Sequence, residues 1–212
     1  MSDPWSERAE MYRTSAAHAE GPDLDLIVEW AEGCQTAIDV ATGGGHVARR
    51  LREAGLEVVS CDPAPGMQPD VICFAEELPF ADRAFDLAVT RVAAHHFADP
   101  AQASRELGRV ASTRVIVADT VYDGEKLERA EKLRDPSHVR NYSEAEWRGF
   151  LEGAGLVIED VQIFDHPVEL EPWLVRTACT GPDADAAREL LADRMDGGFF
   201  RLDRIILRAR PA

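Results

Sequence analysis

An α/β fold, a doubly wound and mostly parallel sheet with helices on both faces, is the class this 212-residue sequence predicts. Three observations carry that expectation. Short apolar runs that end in Gly, Pro or Asp alternate along the chain with stretches of helical apolar spacing. One such run, Thr36-Ala37-Ile38-Asp39-Val40-Ala41-Thr42, leads into Gly43-Gly44-Gly45 and then into a helical pattern ending at Gly55, so a strand, a tight loop and a helix follow one another. The length suits one α/β domain with a full core and is short for two.

In chain order, Asp3-Pro4 reads as a cap and first helical residue, with Trp5, Ala9 and Tyr12 on one face of a short helix. A polar link over 13–20 precedes a second helix, begun by Gly21-Pro22-Asp23 and carrying Leu24, Ile27, Val28 and Ala31 as its apolar stripe. Strands are predicted at 36–41, 56–62, 70–74, 85–91, 114–121, 156–164 and 199–210. Between the second and third lies only Pro63-Ala64-Pro65-Gly66-Met67-Gln68-Pro69, too short and proline-rich for a crossover helix. Helices are expected after the Asp99-Pro100 cap, over 123–134, after the Ser143-Glu144-Ala145-Glu146 capping box with Trp147, Phe150 and Leu151 inward, and over 183–195. We divide the single domain, 1–212, into N-terminal helices forming a lid (1–33), a cofactor-binding half (34–122) and a substrate-side half (123–212).

Charge excludes one class of partner. With 39 acidic against 23 basic residues the net charge is −16, which repels phosphate backbones, so no nucleic acid is expected. No apolar run approaches the ~20 residues of a membrane span, and the polar N-terminus resembles no signal peptide; a cytoplasmic protein without a membrane partner is expected. Cys34, Cys61, Cys73 and Cys179 show no C-x-x-C spacing and read as free thiols. No metal is expected, because His95 and His96 are adjacent and no third ligand can be placed from the sequence.

Two ligands compete for the glycine loop. Gly43, Gly45 and Ala48 match the spacing of a dinucleotide fingerprint, and Asp62 lies near the ~20-residue offset of its ribose-binding carboxylate, which would suit an NAD(P)-dependent oxidoreductase. Asp39 separates the readings. A pyrophosphate gains nothing from a fixed carboxylate just ahead of the loop, whereas a ligand bearing an ammonium group does. S-adenosylmethionine bears one: Asp39 would attract its amino-acid moiety, the loop backbone would line its path, and Asp62 would accept its ribose hydroxyls.

Asp39-Val40-Ala41-Thr42-Gly43-Gly44-Gly45-His46, Ala75-Glu76-Glu77-Leu78-Pro79-Phe80 and Arg91-Val92-Ala93-Ala94-His95-His96-Phe97 together resemble the motifs of class I S-adenosylmethionine-dependent methyltransferases of the small-molecule, ubiquinone-biosynthesis-like (type 11-like) group. Arg134-Asp135-Pro136-Ser137-His138-Val139-Arg140 is similar to a segment of one bacterial branch. The resemblance implies a seven-stranded Rossmann-like sheet with an antiparallel last strand. It also implies a cofactor site of Asp39, Ala41, Thr42, Gly43, Gly45, His46, Asp62, Pro63, Phe74, Ala75, Glu76 and Arg91, with S-adenosylhomocysteine as product. Ala41 stands where the family has its first glycine, and Phe74 where many members have an adenine-binding aspartate.

The sulfonium is already an activated leaving group, so in-line transfer needs an aligned acceptor and, where the acceptor is protonated, a base. His95, His96 and His138 are the candidate catalytic residues, beside a reading in which the first two merely order the turn before Asp99. Tyr12, His18, His96, His138 and Arg140 are the candidate substrate-binding residues, Arg140 as a carboxylate clamp, against plain core packing for Tyr12 and a solvated ion pair for Arg140. The small-molecule acceptor itself is not legible, and neither is the choice between monomer and homodimer. A cofactor-binding protein without catalysis stands as a third reading.

Overall fold

Near-continuous burial along apolar strands builds a sheet covered on both faces. The computed structural model describes residues 4–212, with 4, 16 and 17 described by their backbone alone; the Asp3 cap therefore lies outside the described residues. The strands are β1 (Thr36–Val40), β2 (Glu57–Cys61), β3 (Phe85–Arg91), β4 (Ala111–Thr120), β5 (Leu156–Phe164), β6 (Pro167–Glu169), β7 (Phe199–Arg201) and β8 (Arg204–Pro211). The α-helices are α1 (Pro4–Arg13), α2 (Ala16–Ala19), α3 (Pro22–Trp30), α4 (His46–Glu53), α5 (Pro100–Val110), α6 (Glu125–Arg134), α7 (Glu144–Gly153), α8 (Leu170–Val175) and α9 (Gly181–Leu191). Ile38, Val40, Ala88, Val115, Val117, Ile205 and Leu207 point to one face, beneath Ala103 and Leu107 of α5 and Trp147 and Leu151 of α7. The intervening Ala37, Leu87, Val89, Ile116, Ala118 and Ile206 point to the other, against Leu24, Ile27 and Trp30 of α3 and Val47 and Leu51 of α4. Side chains at period 2 thus fill two cores with one sheet.

The sheet order is β2-β1-β3-β4-β8-β5. β1, β2, β3 and β4 pair in parallel, and β8 runs antiparallel to both β4 and β5, as the resemblance implied for the last strand. The predicted stretch 199–210 is broken at Leu202 and Asp203, because β7 leaves the main sheet to pair with β6 in a two-stranded ribbon. The predicted helix starts also hold: Asp99 accepts from the Gln102 amide at 2.9 Å, and Ser143 and Glu146 form the full capping box.

Among the described residues six strands, not seven, make the sheet. Residues 70–74 form only a bridge between Cys61 and Val71. The reason is the missing crossover: Pro65–Met67 makes a single 3₁₀ turn, and the chain returns to the sheet edge without the length to run alongside β2. Side chains supply what a seventh strand would. The Asp70 carboxylate accepts from the Ser60 amide (2.8 Å) and hydroxyl (2.7 Å), and Arg52 donates to the Val58 carbonyl (2.9 Å) and to Asp70 (2.8 Å).

Two further clusters complete the molecule. α6, α8, α9 and β7 share a core around Leu127, Trp173, Leu174, Ala187 and Phe200, set over the carboxyl ends of the central strands. At the other flank, Trp5, Ala9 and Tyr12 of α1 pack on Ala64 and Met67. The Gly66 amide donates to the Ser6 hydroxyl (2.7 Å) and Arg13 donates to the Gly66 carbonyl (2.9 Å). A methyl group on Gly66 would sit 2.5 Å from Ser6 Cα and 2.8 Å from its carbonyl oxygen, so Gly66→Ala forces α1 outward. That overpacking is expected to cost about 1–3 kcal/mol of α1 docking, seen as faster limited proteolysis within residues 4–13 while the main melting transition moves little; unchanged cleavage would refute it. Among the described residues no helix is long and apolar enough to cross a membrane, and the four cysteines are free thiols.

Candidate active site

A cavity of about 500 Å³ opens at the carboxyl ends of β1 and β3, where open α/β sheets bind their ligands. Asp39, Ala41, Thr42, Gly43, His46, Asp62, Pro63, Phe74, Ala75, Glu76 and Arg91 all line it, together with Tyr12, His18 and His96. Gly45, the remaining predicted cofactor residue, is not in the wall; it turns the loop with φ +76 and donates to the Thr42 carbonyl at 2.9 Å.

The loop is held open by two carboxylates. Asp39 Oδ2 accepts from Thr42 Oγ1 (2.5 Å) and from the Ala48 amide in the first turn of α4 (3.0 Å). Asp39 thus shapes the loop as well as facing the cavity, a structural task the sequence reading did not give it. Burial drives its carboxyl up to about 6, against the opposing pull of those two bonds. Asp62, at the end of β2, accepts from the Gly43 amide (3.0 Å) and the Ala64 amide (2.9 Å). Ala41 adopts φ +57, the left-handed shape that a glycine takes without strain; the alanine keeps the backbone path at a cost of about 1–2 kcal/mol.

Phe74 is 64% exposed on the cavity side, a ring presented for stacking where a carboxylate is absent. Glu76 faces inward between Ala75 and Glu77, but its Oε1 accepts from the Ala98 and Asp99 amides (2.9 and 3.2 Å), which fixes the loop before α5. Arg91 is in the wall only by its flank. Its guanidinium donates to Asp23 (2.6 and 3.1 Å) and to the His18 and Glu20 carbonyls (2.7 and 3.4 Å), so it ties the lid down and is not a free cation beside the ligand. His46 does the same for α1, bonding the Tyr12 carbonyl through Nε2 at 2.9 Å.

A second cavity of about 360 Å³ adjoins the first and shares Tyr12, His18, Val92 and His96 with it. Val92 marks the boundary with φ +53, a strained conformation for a β-branched residue, of the kind that clusters at functional sites. The rest of the second wall includes His95, Glu131, Arg134, Asp135, His166, Trp173, Arg176 and Arg204. Three of these are arginines from α6, α8's end and β8; none of them was named from the sequence as a site residue, although Arg134 opens the segment quoted over 134–140.

The histidines separate by environment. His95 Nδ1 lies 2.7 Å from Asp119 Oδ1, and Asp119 Oδ2 accepts the His95 amide at 2.8 Å. Burial pushes the His95 imidazole down, but the Asp119 charge and hydrogen bond outweigh it and lift it above its ordinary range. His96 Nδ1 bonds the Ser137 carbonyl at 3.0 Å, which makes Nδ1 the protonated nitrogen and leaves Nε2 with its lone pair. Burial and the neighbouring His95 take His96 down to about 3, so it is neutral and a weak base.

His138 lines neither cavity. It is buried with Nε2 3.3 Å from Glu128, its ring 5.4 Å from that of His95. Arg140 lies on the outer surface, 3.0 Å from Glu146 and over the Tyr142 ring, so the solvated ion pair, not the clamp, is its place in the fold. The reason is the turn at 135–141: the Val139 and Arg140 amides both donate to the His95 carbonyl, which brings His138 inward and turns the next residues out. The folding of this segment also gathers three potential metal ligands, none of them His95 or His96, that sequence order hid. Glu128, Glu131 and His138 place ligand atoms within 4.8 Å of one another, though Asn141 already donates to both carboxylates and His138 to Glu128.

Comparison with known proteins agrees with this architecture. The sequence profile of a methyltransferase domain family matches residues 38–118. The chain is similar to the uncharacterized methyltransferase YcgJ of Bacillus subtilis, 33% identical over an alignment that covers 89% of this chain and 83% of that protein. It is also similar to the uncharacterized protein YafE of Escherichia coli, 38% identical over 66% of this chain and 75% of the other. The crystal structure of YcgJ superposes with a TM-score of 0.81 and 25% identity, covering 90% of this chain and 98% of that one.

Proposed function

The chain belongs to the class I S-adenosylmethionine-dependent methyltransferases, and from that premise we propose that it moves the methyl group to an O, N or C centre of a small molecule seated in the second cavity. The observation that carries this reading is the pair of adjoining cavities sharing Tyr12, His18, Val92 and His96, which gives a cofactor and an acceptor neighbouring places to bind. The residues of the first cavity fit the cofactor by their chemistry: a buried carboxylate at Asp39 suits an ammonium, Asp62 suits ribose hydroxyls, and the exposed Phe74 ring suits adenine. When bound, S-adenosylmethionine supplies an electrophilic methyl on a sulfonium that needs no further activation.

The protein's own share is positioning and proton removal. Tyr12, His18 and Val92 line the boundary that the two cavities share. Asp119 fixes the His95 ring with Nδ1 protonated, leaving Nε2 to accept a proton from the acceptor. Since the His95 pKa is raised, only its neutral form above that value can act as base, so turnover with a protonated acceptor increases with pH above the ordinary histidine range.

The cofactor half is tested by melting and calorimetry. S-adenosylhomocysteine is expected to raise the melting temperature, following RT ln(1 + [L]/Kd), and NADH to leave it unchanged. An ammonium beside Asp39 favours its ionised form, so binding expels the Asp39 proton wherever it is present. Affinity is therefore full at pH 7 and falls as pH drops below about 6, by up to about tenfold at pH 5; Asp39→Asn abolishes that dependence. Absence of any shift with millimolar S-adenosylhomocysteine would sink the reading.

A further inference from the structure

The second cavity gathers cations in a chain whose net charge is −16. Arg134, Arg176 and Arg204 line its wall, and their partners do not balance them. Arg204 donates to Asp23 at 3.1 Å, but Asp23 is shared with Arg91, so one carboxylate serves two guanidiniums. Among the described residues neither Arg134 nor Arg176 has a carboxylate within ion-pair distance. Arg134 spends its Nε on the Trp173 carbonyl (2.9 Å) and lies over the Trp173 ring.

Three donors of this wall are left over. Among the described residues the Nε atoms of Arg176 and Arg204 and the Nε1 of Trp173 are buried without a hydrogen-bond partner, and Arg204 as a whole is 5% exposed. Buried donors of charged groups are rarely left unpaired, since each costs the desolvation of a charge with no return. The electrostatics of the wall report the same imbalance: burial and the charges of Arg134 and Arg204 depress Arg176 to about 10, and burial with Arg204 depresses His166 to about 4. The acids of this wall do not correct it. Asp135 is occupied by Ser137, Glu131 is bonded to Asn141 and kept toward its neutral form by burial, and Glu169 is exposed.

We propose that the methyl acceptor carries an anionic group, a carboxylate or a phosphate ester, bound in the second cavity by Arg176 with Arg134 and Arg204. The proposal rests on the second cavity being the acceptor site. Guanidiniums recognise both anions through paired N–H donors, and the apolar Val168, Trp173 and Leu202 beside them suit a hydrocarbon body. The anion lies at the arginine end of the cavity, so the centre to be methylated points to the boundary formed by Val92 and His96.

The test is calorimetry on the full chain saturated with S-adenosylhomocysteine, with benzoate, phenyl phosphate and the neutral benzamide as probes. One of the anions is expected to bind roughly tenfold or more tighter than benzamide, the gain of a charge-assisted contact in a buried site. Which anion binds tighter distinguishes carboxylate from phosphate. Arg176→Met and, separately, Arg134→Met are expected to lose that preference while keeping S-adenosylhomocysteine affinity within about twofold, which also reports that each variant is folded; Arg176→Lys retains part of it. Equal binding of benzamide and the anions, no binding of either anion at millimolar concentration, or a preference that survives in both methionine variants overturns the proposal. Failure of S-adenosylhomocysteine to bind the unaltered chain overturns instead the methyltransferase reading on which it stands.

Discussion

Asp23→Ala is expected to cost the fold about 3–5 kcal/mol, as much as truncating a large core side chain. Asp23 sits at the start of α3, 2% exposed, and accepts from Arg91 at 2.6 and 3.1 Å and from Arg204 at 3.1 Å. Its removal leaves two buried guanidiniums facing each other without a counter-charge. It also unfastens the lid, because the same Arg91 holds the His18 and Glu20 carbonyls. Burial by itself pushes the Asp23 carboxyl up, but the Arg91 hydrogen bonds and the charges of Arg204 and Arg91 outweigh it and hold the pKa at about 2. The folded pKa is below the unfolded one, so the stabilisation is complete above about pH 4 and is lost as pH falls toward 2, with a size of about 2 kcal/mol. Urea unfolding of both proteins at pH 7 and pH 3 measures this: the gap between them narrows at the lower pH. Arg204→Met added to Asp23→Ala recovers part of the loss, since one unpaired charge is removed. A loss under about 1 kcal/mol for Asp23→Ala at pH 7 would contradict the buried-clamp account.

For the cofactor the corresponding residue is Asp62. Asp62→Ala is expected to raise the S-adenosylhomocysteine dissociation constant by about 100-fold, from two losses of comparable size. The Gly43 and Ala64 amides lose their acceptor, so the glycine loop no longer has a fixed shape before binding. The ribose hydroxyls lose theirs as well. Asp62→Asn keeps one acceptor oxygen and is expected to fall between the two. Calorimetry at pH 7 decides, and a change smaller than about threefold in the alanine variant would remove Asp62 from the site.

What the sequence displays is set by how far each interaction reaches along the chain. The Asp99 cap and the Ser143 capping box are complete within four residues, so their residues announce them. The apolar runs of β1, β3 and β4 are likewise local, and their alternation with helical stretches is what predicted a sheet with helices on both faces. Asp39 and Asp62 were legible because a carboxylate ending an apolar strand is conspicuous. Asp119 ends β4 with the same signal, Val115-Ile116-Val117-Ala118-Asp119, and that signal could have revealed the partner of His95. The second cavity was legible only on one side, where the candidates Tyr12, His18, His95 and His96 line it. Arg134, Arg176 and Arg204 come from three elements, and each looks like an ordinary surface arginine until the cluster over the strand ends is folded. The conspicuous Arg140, in contrast, is turned outward by bonds its neighbours make to the His95 carbonyl. Residues 70–74 have strand composition but lack the preceding helix that would have delivered them in register.

That shortened edge has a consequence for how copies of the protein behave toward one another. β2 is one of the two outermost strands, and an outermost strand with open amides and carbonyls is a template for any other extended chain. Here the Ser60 amide is closed by the Asp70 carboxylate, the Ser60 carbonyl by the Val71 amide and the Val58 carbonyl by Arg52. Hydrogen bonds from Ser60 and the nearby Arg52 charge hold Asp70 below the usual carboxylate range, so the closure persists into mild acid. An incoming strand would have to displace an ion pair and a carboxylate to reach the backbone. The loss of a strand has left the sheet with a charged margin in its place, one that resists lateral growth into aggregates.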